Sequence, residues 1–240
     1  MRLEKWSPEL LPDHPSIAII GKRRSGKSIL LKSICYEYFK RKIAYVYVFS
    51  QTSQVNGYFD KWIPDKFIFS DINEEVLENI ITRQEALTKM NRSLPKHRQE
   101  KIYTLLIFDD IGLNDARYSR LLHKIFLQGR HLSIGCVFLI QDATMISRVQ
   151  RDNLDTVITF NLPNKLQRDR IVESYLMIND KEEGEDLLKA VTSRQYYVLV
   201  IDNTKTNSYE LADFCYWYKS DIAPNSGWKM GNQRQWYQLN

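Results

Sequence analysis

The chain has 240 residues, of which 43% are apolar and 26% charged, as in a soluble globular protein with one domain or one domain and a tail. Its net charge of +5 is compatible with a polyanionic partner but does not require one. No window approaches the roughly 18 consecutive apolar residues of a membrane span, and the N-terminus lacks the apolar stretch of a secretory signal. We therefore expect a soluble protein with no membrane partner.

The cysteines indicate a reducing compartment. Cys35, Cys136 and Cys215 form no C-x-x-C pair. Cys35 falls in a predicted helix and Cys136 in a predicted strand, so we interpret both as small core residues. The four histidines make no ligand cluster with the cysteines, and no structural zinc site is expected.

The first predicted elements are a strand at residues 16–20, which is apolar and β-branched, and a helix at residues 28–41, where apolar residues recur at helical spacing. The residues that join them match G-x-x-x-x-G-K-[ST], the phosphate-binding P-loop: Gly21, Lys22, Arg23, Arg24, Ser25, Gly26, Lys27 and Ser28. A glycine-rich turn before a helix directs backbone N–H groups and the helix dipole at one point, where an anion is stabilised. The sequence therefore predicts a nucleoside triphosphate site, with Lys27 on the β- and γ-phosphates and the Ser28 hydroxyl on Mg²⁺.

The next elements are a strand at residues 43–49, a short strand at 67–69, an amphipathic helix at 73–91 and a strand at 103–108. This last strand runs into Asp109 and Asp110, the form expected of a Walker B motif. In that interpretation Asp109 belongs to the Mg²⁺ site, and Asp110 orients and deprotonates the attacking water. Most hydrolases of this type have Glu at the second position, so whether the shorter Asp110 reaches the water directly stays open. Aspartate at a strand end also serves as a turn former.

The remaining elements complete an alternation of strands and helices. A helix capped by Asn114 is expected to reach Gln128, helices are expected at 165–178 and in part of 181–192, and strands at 134–140, 156–160 and 196–201. This order predicts an α/β fold with a mainly parallel sheet flanked by helices. We expect one P-loop domain at residues 1–212 and an aromatic C-terminal extension at 213–240.

Three polar residues are further candidates for the nucleotide site. Gln141 follows the strand at 134–140, and because the carboxyl ends of parallel strands share one edge, it is expected beside the P-loop and Asp109. There it would contact the γ-phosphate or position water, although it would equally cap a turn. Arg130 and Arg151 are candidates for stabilising charge at the transferred phosphate, supplied by a neighbouring subunit. A surface salt bridge explains either arginine as well.

A GTPase interpretation rests on residues 109–112, which also satisfy D-x-x-G. Asn164 and Lys165 stand where a guanine-reading N-K-x-D motif would follow the fifth strand. Gln167 replaces the aspartate of that motif, and an uncharged amide pairs poorly with the guanine edge. We therefore disfavour GTP as the nucleotide.

Together these motifs resemble those of the FtsK/HerA superfamily of ATP-driven DNA pumps, and within it the poxvirus-type genome-packaging ATPases of large DNA viruses and virophages. The resemblance spans about residues 17–203. It rests on the serine-bearing P-loop, the Asp109–Asp110 pair after its strand, the strand that ends in Gln141, and the segments around Arg130 and Arg151. Asp110 departs from the glutamate of the cellular members.

The resemblance implies a RecA-like P-loop NTPase fold of the ASCE type, in which the strand ending in Gln141 lies between the P-loop and Walker B strands. It implies ATP and Mg²⁺ as cofactors, and hydrolysis that drives double-stranded DNA into a preformed capsid. It also implies a ring of identical subunits with a capsid or portal-like vertex protein as partner, in the virion or the viral factory of the host-cell cytoplasm. In such a ring Arg130, or else Arg151, would enter the neighbour's site.

Two sets of residues bear on the partners. Basic residues able to contact phosphates occur in a loop and after the first helix: Arg92, Lys96, His97, Arg98 and Lys101, and Lys40, Arg41 and Lys42. Solvated surface charge and the helix dipole explain these clusters equally well. The tail aromatics are expected to anchor a protein interface rather than stack on bases: Phe214, Tyr216, Trp217, Tyr218, Trp228, Trp236 and Tyr237.

Two alternatives to the DNA pump stay open. A small-molecule kinase would use the same P-loop with a basic lid, for which Arg148 and Arg151 are candidates, although Asp110 and Gln141 suit attack by water better. A nucleotide-gated assembly protein with little turnover is kept open by Asp110 in place of glutamate.

Overall fold

The structure is a computed structural model that describes residues 2–53, 57–99, 102–111, 119–176, 178, 180–205, 207, 210–219 and 221–231. Its strands are β1 (Glu4–Lys5), β2 (Ser16–Ile20), β3 (Tyr45–Ser50), β4 (Ile68–Phe69), β5 (Thr104–Asp109), β6 (Ile134–Ile140), β7 (Thr156–Thr159), β8 (Val198–Asp202) and β9 (Cys215–Tyr218). Its α-helices are α1 (Lys27–Glu37), α2 (Glu74–Ser93), α3 (Arg120–Gln128), α4 (Arg148–Asp152), α5 (Lys165–Ile171), α6 (Lys181–Thr192) and α7 (Leu211–Phe214). None of the helices within these ranges is long and apolar enough to cross a membrane.

The strands form a single mixed sheet in the order β1-β9-β8-β7-β2-β6-β5-β3-β4. All neighbouring pairs are parallel except β7 with β8 and β8 with β9. β6, which precedes Gln141, lies between the P-loop strand β2 and the strand β5 that ends in Asp109. The predicted α/β class, the mainly parallel sheet and the inserted strand are therefore confirmed.

Two apolar clusters cover the two faces of the sheet. On β5, Leu106 and Phe108 belong to the cluster that packs against α2, α3, α5 and α6. Leu105 and Ile107 point to the other cluster, which includes α1 and the segment around Trp62. Because every β5 residue is buried, the sequence shows a continuous apolar run there rather than an alternation. All three cysteines are buried and free, which confirms the interpretation of Cys35 and Cys136 as core residues.

Several predicted element ends differ from the structure. The helix predicted at 28–41 ends at Glu37 and is followed by a 3-10 turn at Phe39–Arg41. The helix predicted at 165–178 changes to a π-helix at Val172–Leu176. α3 begins after Ser119, whose hydroxyl accepts a hydrogen bond from Leu122 N at 3.0 Å, and the predicted cap Asn114 lies outside the described residues. In each case short-range backbone and cap hydrogen bonds decide the end, which apolar periodicity does not report.

The C-terminal segment packs on the chain's own domain. Cys215–Tyr218 forms β9 within the sheet, so the sheet continues past the boundary predicted after residue 212. Trp228 lies against Trp62, with ring centroids 5.5 Å apart, and Met230 N donates to Trp62 O at 2.8 Å. The expectation that these aromatics anchor a capsid or neighbouring subunit is therefore wrong for the buried Phe214, Tyr216 and Tyr218 and for Trp228; Trp236 and Tyr237 lie outside the described residues.

Candidate nucleotide-binding site

The P-loop joins the carboxyl end of β2 to the first turn of α1, as its sequence predicts. Both ends are fixed to the sheet, because Gly21 N donates to Ile140 O at 3.1 Å and Phe160 N donates to Ile20 O at 2.8 Å. Gly26 has a φ of 105°, in the left-handed region that glycine adopts without strain. A side chain at Gly21 would begin 2.6 Å from Ser25 Oγ, so this position also requires glycine. These two glycines let the backbone turn tightly around a phosphate-sized space.

Lys27 lies inside this turn. Its Nζ donates to Gly21 O at 2.8 Å and to Lys22 O at 3.1 Å, and only 6% of the residue is exposed. Burial lowers the pKa of Lys27, while the charges of Asp110 and Asp109 act in the opposite direction. The ammonium is thus held at the loop and close to both carboxylates.

Ser25 supplies a test of whether a phosphate fits. Its Oγ is buried and has no hydrogen-bond partner within the described part of the chain. A hydroxyl buried without a partner costs free energy unless a ligand completes it. A phosphate oxygen in the turn would accept this hydrogen bond, so the donor set of the loop suits a phosphate.

Asp109 ends β5 opposite the P-loop and is 7% exposed. Ser50 Oγ, at the end of the neighbouring strand β3, donates to Asp109 Oδ2 at 3.0 Å. Burial raises the pKa of Asp109 to about 6, and the Ser50 hydrogen bond partly offsets this effect. Asp109 and Ser28 line the same cavity, and their oxygens are of the kind that Mg²⁺ prefers.

Asp110 and Gln141 meet at the carboxyl edge of the sheet. Gln141 Nε2 donates to Asp110 Oδ1 at 3.1 Å, although the residues are 31 positions apart in sequence. Asp110 has a φ of 48°, a left-handed conformation that aspartate tolerates better than most residues and that turns its carboxylate away from the strand. The predicted proximity of Gln141 to the Walker B pair is therefore observed, while the chemical roles of the two residues stay predictions.

Arg130 lies at the opposite edge of the sheet from the P-loop. It belongs to a 3-10 turn at Gly129–Leu132 that precedes β6, and its Nη1 is 3.9 Å from Asp155 Oδ1. Asp155 Oδ2 in turn accepts a hydrogen bond from Ser16 N at 2.8 Å, at the amino end of β2. The Arg130 side chain is 67% exposed. It therefore cannot act in its own chain's nucleotide site but is accessible to a neighbouring molecule.

Arg151 is held by its own chain. Its Nη1 donates to Ile146 O at 2.9 Å and to Ala143 O at 3.4 Å, which ties the end of α4 to the loop after β6. Arg148 Nε lies 3.6 Å from Asp152 Oδ2. Neither arginine points over the P-loop as the lid of a kinase would, so these contacts do not favour the kinase alternative.

A cavity of about 470 Å³ contains the site. It is lined by Arg23, Arg24, Ser25, Gly26, Lys27, Ser28, Ile29, Thr52, Tyr58, Asp109, Asp110 and Tyr196. The sequence analysis missed Tyr58 and Tyr196. Tyr58 Oη donates to Ser28 O at 3.1 Å, and the half-exposed ring of Tyr196 stands over Gly26, 3.5 Å from where a Cβ would lie. Both residues come from irregular segments without a motif, so only the tertiary structure identifies them.

With this geometry established, the chain can be compared with known proteins. The family model described as Poxvirus A32 protein matches residues 5–222. The chain belongs to the poxvirus A32 protein family. An uncharacterized protein of Acanthamoeba polyphaga mimivirus is 26% identical over 215 residues, covering 86% of this chain and 72% of that protein. An uncharacterized protein of Invertebrate iridescent virus 6 is 27% identical over 217 residues, covering 90% of this chain and 81% of that protein.

Solved structures share the fold of this family member at low sequence identity. The genome packaging NTPase of Sulfolobus turreted icosahedral virus 2, in complex with ATP-gammaS, has a TM-score of 0.55 at 18% identity, covering 88% of this chain and 99% of that one. The pCW3 conjugation coupling protein TcpA, with ATPgS, has a TM-score of 0.60 at 12% identity, covering 88% of this chain and 61% of that one. The chain therefore has the RecA-like P-loop ATPase fold that the sequence predicts.

Proposed function

We propose that this chain hydrolyses ATP to translocate double-stranded DNA, and that a ring of identical subunits packages a viral genome into a preformed capsid. The observation that carries this proposal is the hydrogen-bonded pair of Asp110 and Gln141 beside the P-loop cavity. This pair places a carboxylate and an amide next to the site where a terminal phosphate would lie, as attack by water requires. Membership of the poxvirus A32 family and the fold of a viral packaging NTPase support the same function.

The nucleotide would bind with its phosphates in the P-loop turn. Backbone N–H groups, Ser25 Oγ and Lys27 Nζ would bind phosphate oxygens, with Lys27 leaving its present carbonyl partners. Mg²⁺, held by Ser28 and Asp109, would neutralise charge on the β- and γ-phosphates. Asp110, oriented by Gln141, would accept the proton of the attacking water. Arg23 and Arg24 at the cavity mouth add positive charge, which favours a triphosphate.

The position of Arg130 supports an active site shared between subunits. The P-loop and Arg130 lie at opposite edges of one sheet, so a head-to-tail contact would bring Arg130 of one subunit to the nucleotide of the next. Heterologous contacts of this kind close into rings. An arginine acting in this way increases hydrolysis by about 10³- to 10⁵-fold in other P-loop enzymes. Arg130 is a better candidate than Arg151, since the latter donates to carbonyl oxygens of its own chain.

Steady-state phosphate release, measured with and without double-stranded DNA, tests the function. Turnover should require Mg²⁺, increase with DNA and disappear in Lys27→Ala, whereas the exposed-lysine control Lys61→Ala should retain it. Turnover without any DNA effect, together with no ring in ATP, would refute packaging and favour a different use of the P-loop. Absence of turnover with intact ATP binding would instead support the nucleotide-gated assembly protein.

A subunit-mixing experiment tests the shared site. Arg130→Ala and Asp110→Asn should each be inactive alone, and mixing them in equal amounts should restore activity at about a quarter of the interfaces. The restored interfaces combine an intact Asp110 with an intact Arg130 from its neighbour. Arg2→Ala, at an exposed arginine near the N-terminus, should be active alone. No recovery at any mixing ratio would exclude Arg130 as the shared residue.

A further inference from the structure

Exposed cations from three separate parts of the chain gather at the amino edge of the sheet, opposite the nucleotide cavity. Lys42 follows α1, Lys89 and Arg92 lie in the last turns of α2, and His131 precedes β6. Arg92 Nη2 donates to His131 O at 3.4 Å, which joins the second and third parts. We call these four residues the amino-edge surface. The basic turn Lys96–Arg98 follows α2 directly and extends the positive charge.

Two neighbouring hollows lie in this surface. One, of about 290 Å³, is lined by Asp13, His14, Lys42, Asn91, Ile102, Tyr103 and Ser133. The other, of about 270 Å³, is lined by Glu85, Thr88, Lys89, Arg92, His131 and Leu132. Because Asn91 lines the first and Arg92 the second, the end of α2 separates them. The cations therefore stand around concave sites rather than on a convex surface.

Little negative charge faces these cations. Lys42, Lys89 and Arg92 form no ion pair with any residue that the structure describes. The lining carboxylates are Asp13 and Glu85, and Glu85 is already bound to Lys124 at 2.8 Å. The dipole of α2 accounts for Lys89 and Arg92 near its C-terminus but not for Lys42, which comes from another helix. This excess of positive charge is available to a polyanion.

We propose that the amino-edge surface binds the phosphate backbone of double-stranded DNA, an inference that rests on the proposed function. Lysine and arginine side chains around shallow hollows neutralise phosphates without reading base edges. Binding of this kind is independent of sequence, as translocation along a whole genome requires. The chain's net charge of +5 is consistent with such a partner.

The amino-edge surface is linked to the hydrolytic residues by two strands. β5 begins at Thr104, beside the first hollow, and ends at Asp109; β6 begins at Ile134, after the surface residue His131, and ends before Gln141. At about 3.3 Å per residue, each of these strands spans roughly 20 Å. DNA at one end of β5 and β6 would therefore act on Asp109, Asp110 and Gln141 through the two central strands of the site.

Fluorescence anisotropy with a fluorescein-labelled duplex of about 30 base pairs and mixed sequence tests this surface across a salt series. The test variant is Lys42→Ala/Lys89→Ala/Arg92→Ala. The matched control is Lys61→Ala/Lys165→Ala/Lys219→Ala, which removes the same charge from exposed lysines outside the surface. The test variant should bind at least tenfold more weakly, and its plot of log affinity against log salt should lose a slope of about 3, close to one per phosphate contact. The control should stay near wild type.

The outcomes separate this surface from the proposed function. Phosphate release without DNA should be equal in the test variant and wild type, which also shows that the variant folds, while stimulation by DNA should be lost. If the wild type binds DNA and the test variant binds it equally well, the surface is refuted and the proposed function stands. Equal weakening in test and control variants would mean that net charge alone attracts DNA, which also refutes the surface. A wild-type chain that hydrolyses ATP but binds no DNA would refute both, and would leave the surface to an acidic protein.

Discussion

Asp109→Asn is expected to stabilise the folded chain at neutral pH while it abolishes hydrolysis. Burial raises the pKa of Asp109 from 3.8 to about 6, so the folded state resists its ionisation. The interval between these values corresponds to about 3 kcal/mol of unfolding free energy. Asparagine carries no charge in this position, and its amide oxygen can still accept the hydrogen bond from Ser50.

The sign follows from proton binding. Between about pH 4 and pH 6 the folded state binds more protons than the unfolded state at Asp109, so this residue's contribution to stability is lost as the pH rises through about 6. The variant does not lose it. The difference in unfolding free energy, variant minus wild type, should therefore grow from its smallest value near pH 4 to about 3 kcal/mol more near pH 7.5. This gain corresponds to an increase in Tm of about 6–12 °C for a chain of this size.

Urea unfolding followed by circular dichroism, without Mg²⁺ or nucleotide, measures this difference at about pH 4.5 and about pH 7.5. Asp65→Asn, at an exposed carboxylate, reports the effect of losing one negative charge elsewhere. A difference for Asp109→Asn that does not increase with pH, or that increases equally for Asp65→Asn, would refute the reasoning. The same comparison with Mg²⁺ should stabilise the wild type more than the variant.

Three further predictions concern individual contacts. Gln141→Ala removes the donor that orients Asp110 and should lower kcat about 10- to 100-fold with little change in KM; a purely higher KM would contradict this role. Tyr196→Ala should raise the KM for ATP about tenfold while Tyr196→Phe retains it, since stacking of a base on the ring needs no hydroxyl; equal effects of the two would argue against stacking. Trp228→Ala should lower the unfolding free energy by about 2 kcal/mol through the lost packing on Trp62, and an unchanged urea midpoint would show that this packing contributes nothing.

Much of the fold was predictable because its signals are local. The strands at 16–20 and 134–140 coincide with predicted apolar runs, and α2 begins one residue after Asn73, whose side chain accepts a hydrogen bond from Val76 N at 3.2 Å. β9 escaped prediction because its residues are aromatic and polar by turns, and its partners β8 and β1 are distant in sequence. α4 is only five residues long, too short for a periodic pattern, and depends on a capping box at Ser147.

The sequence by itself determined the triphosphate loop, because strand, glycine-rich turn and helix are contiguous and their backbone hydrogen bonds form over short distances. It also predicted that Asp109, Asp110 and Gln141 would share an edge, since parallel strands align their carboxyl ends. Only the tertiary structure decided that Ser50 binds Asp109, that Tyr196 covers Gly26 and that Arg130 lies at the far edge. Those contacts depend on strand order and on packing summed over both faces of the sheet, and no short stretch of sequence carries that information.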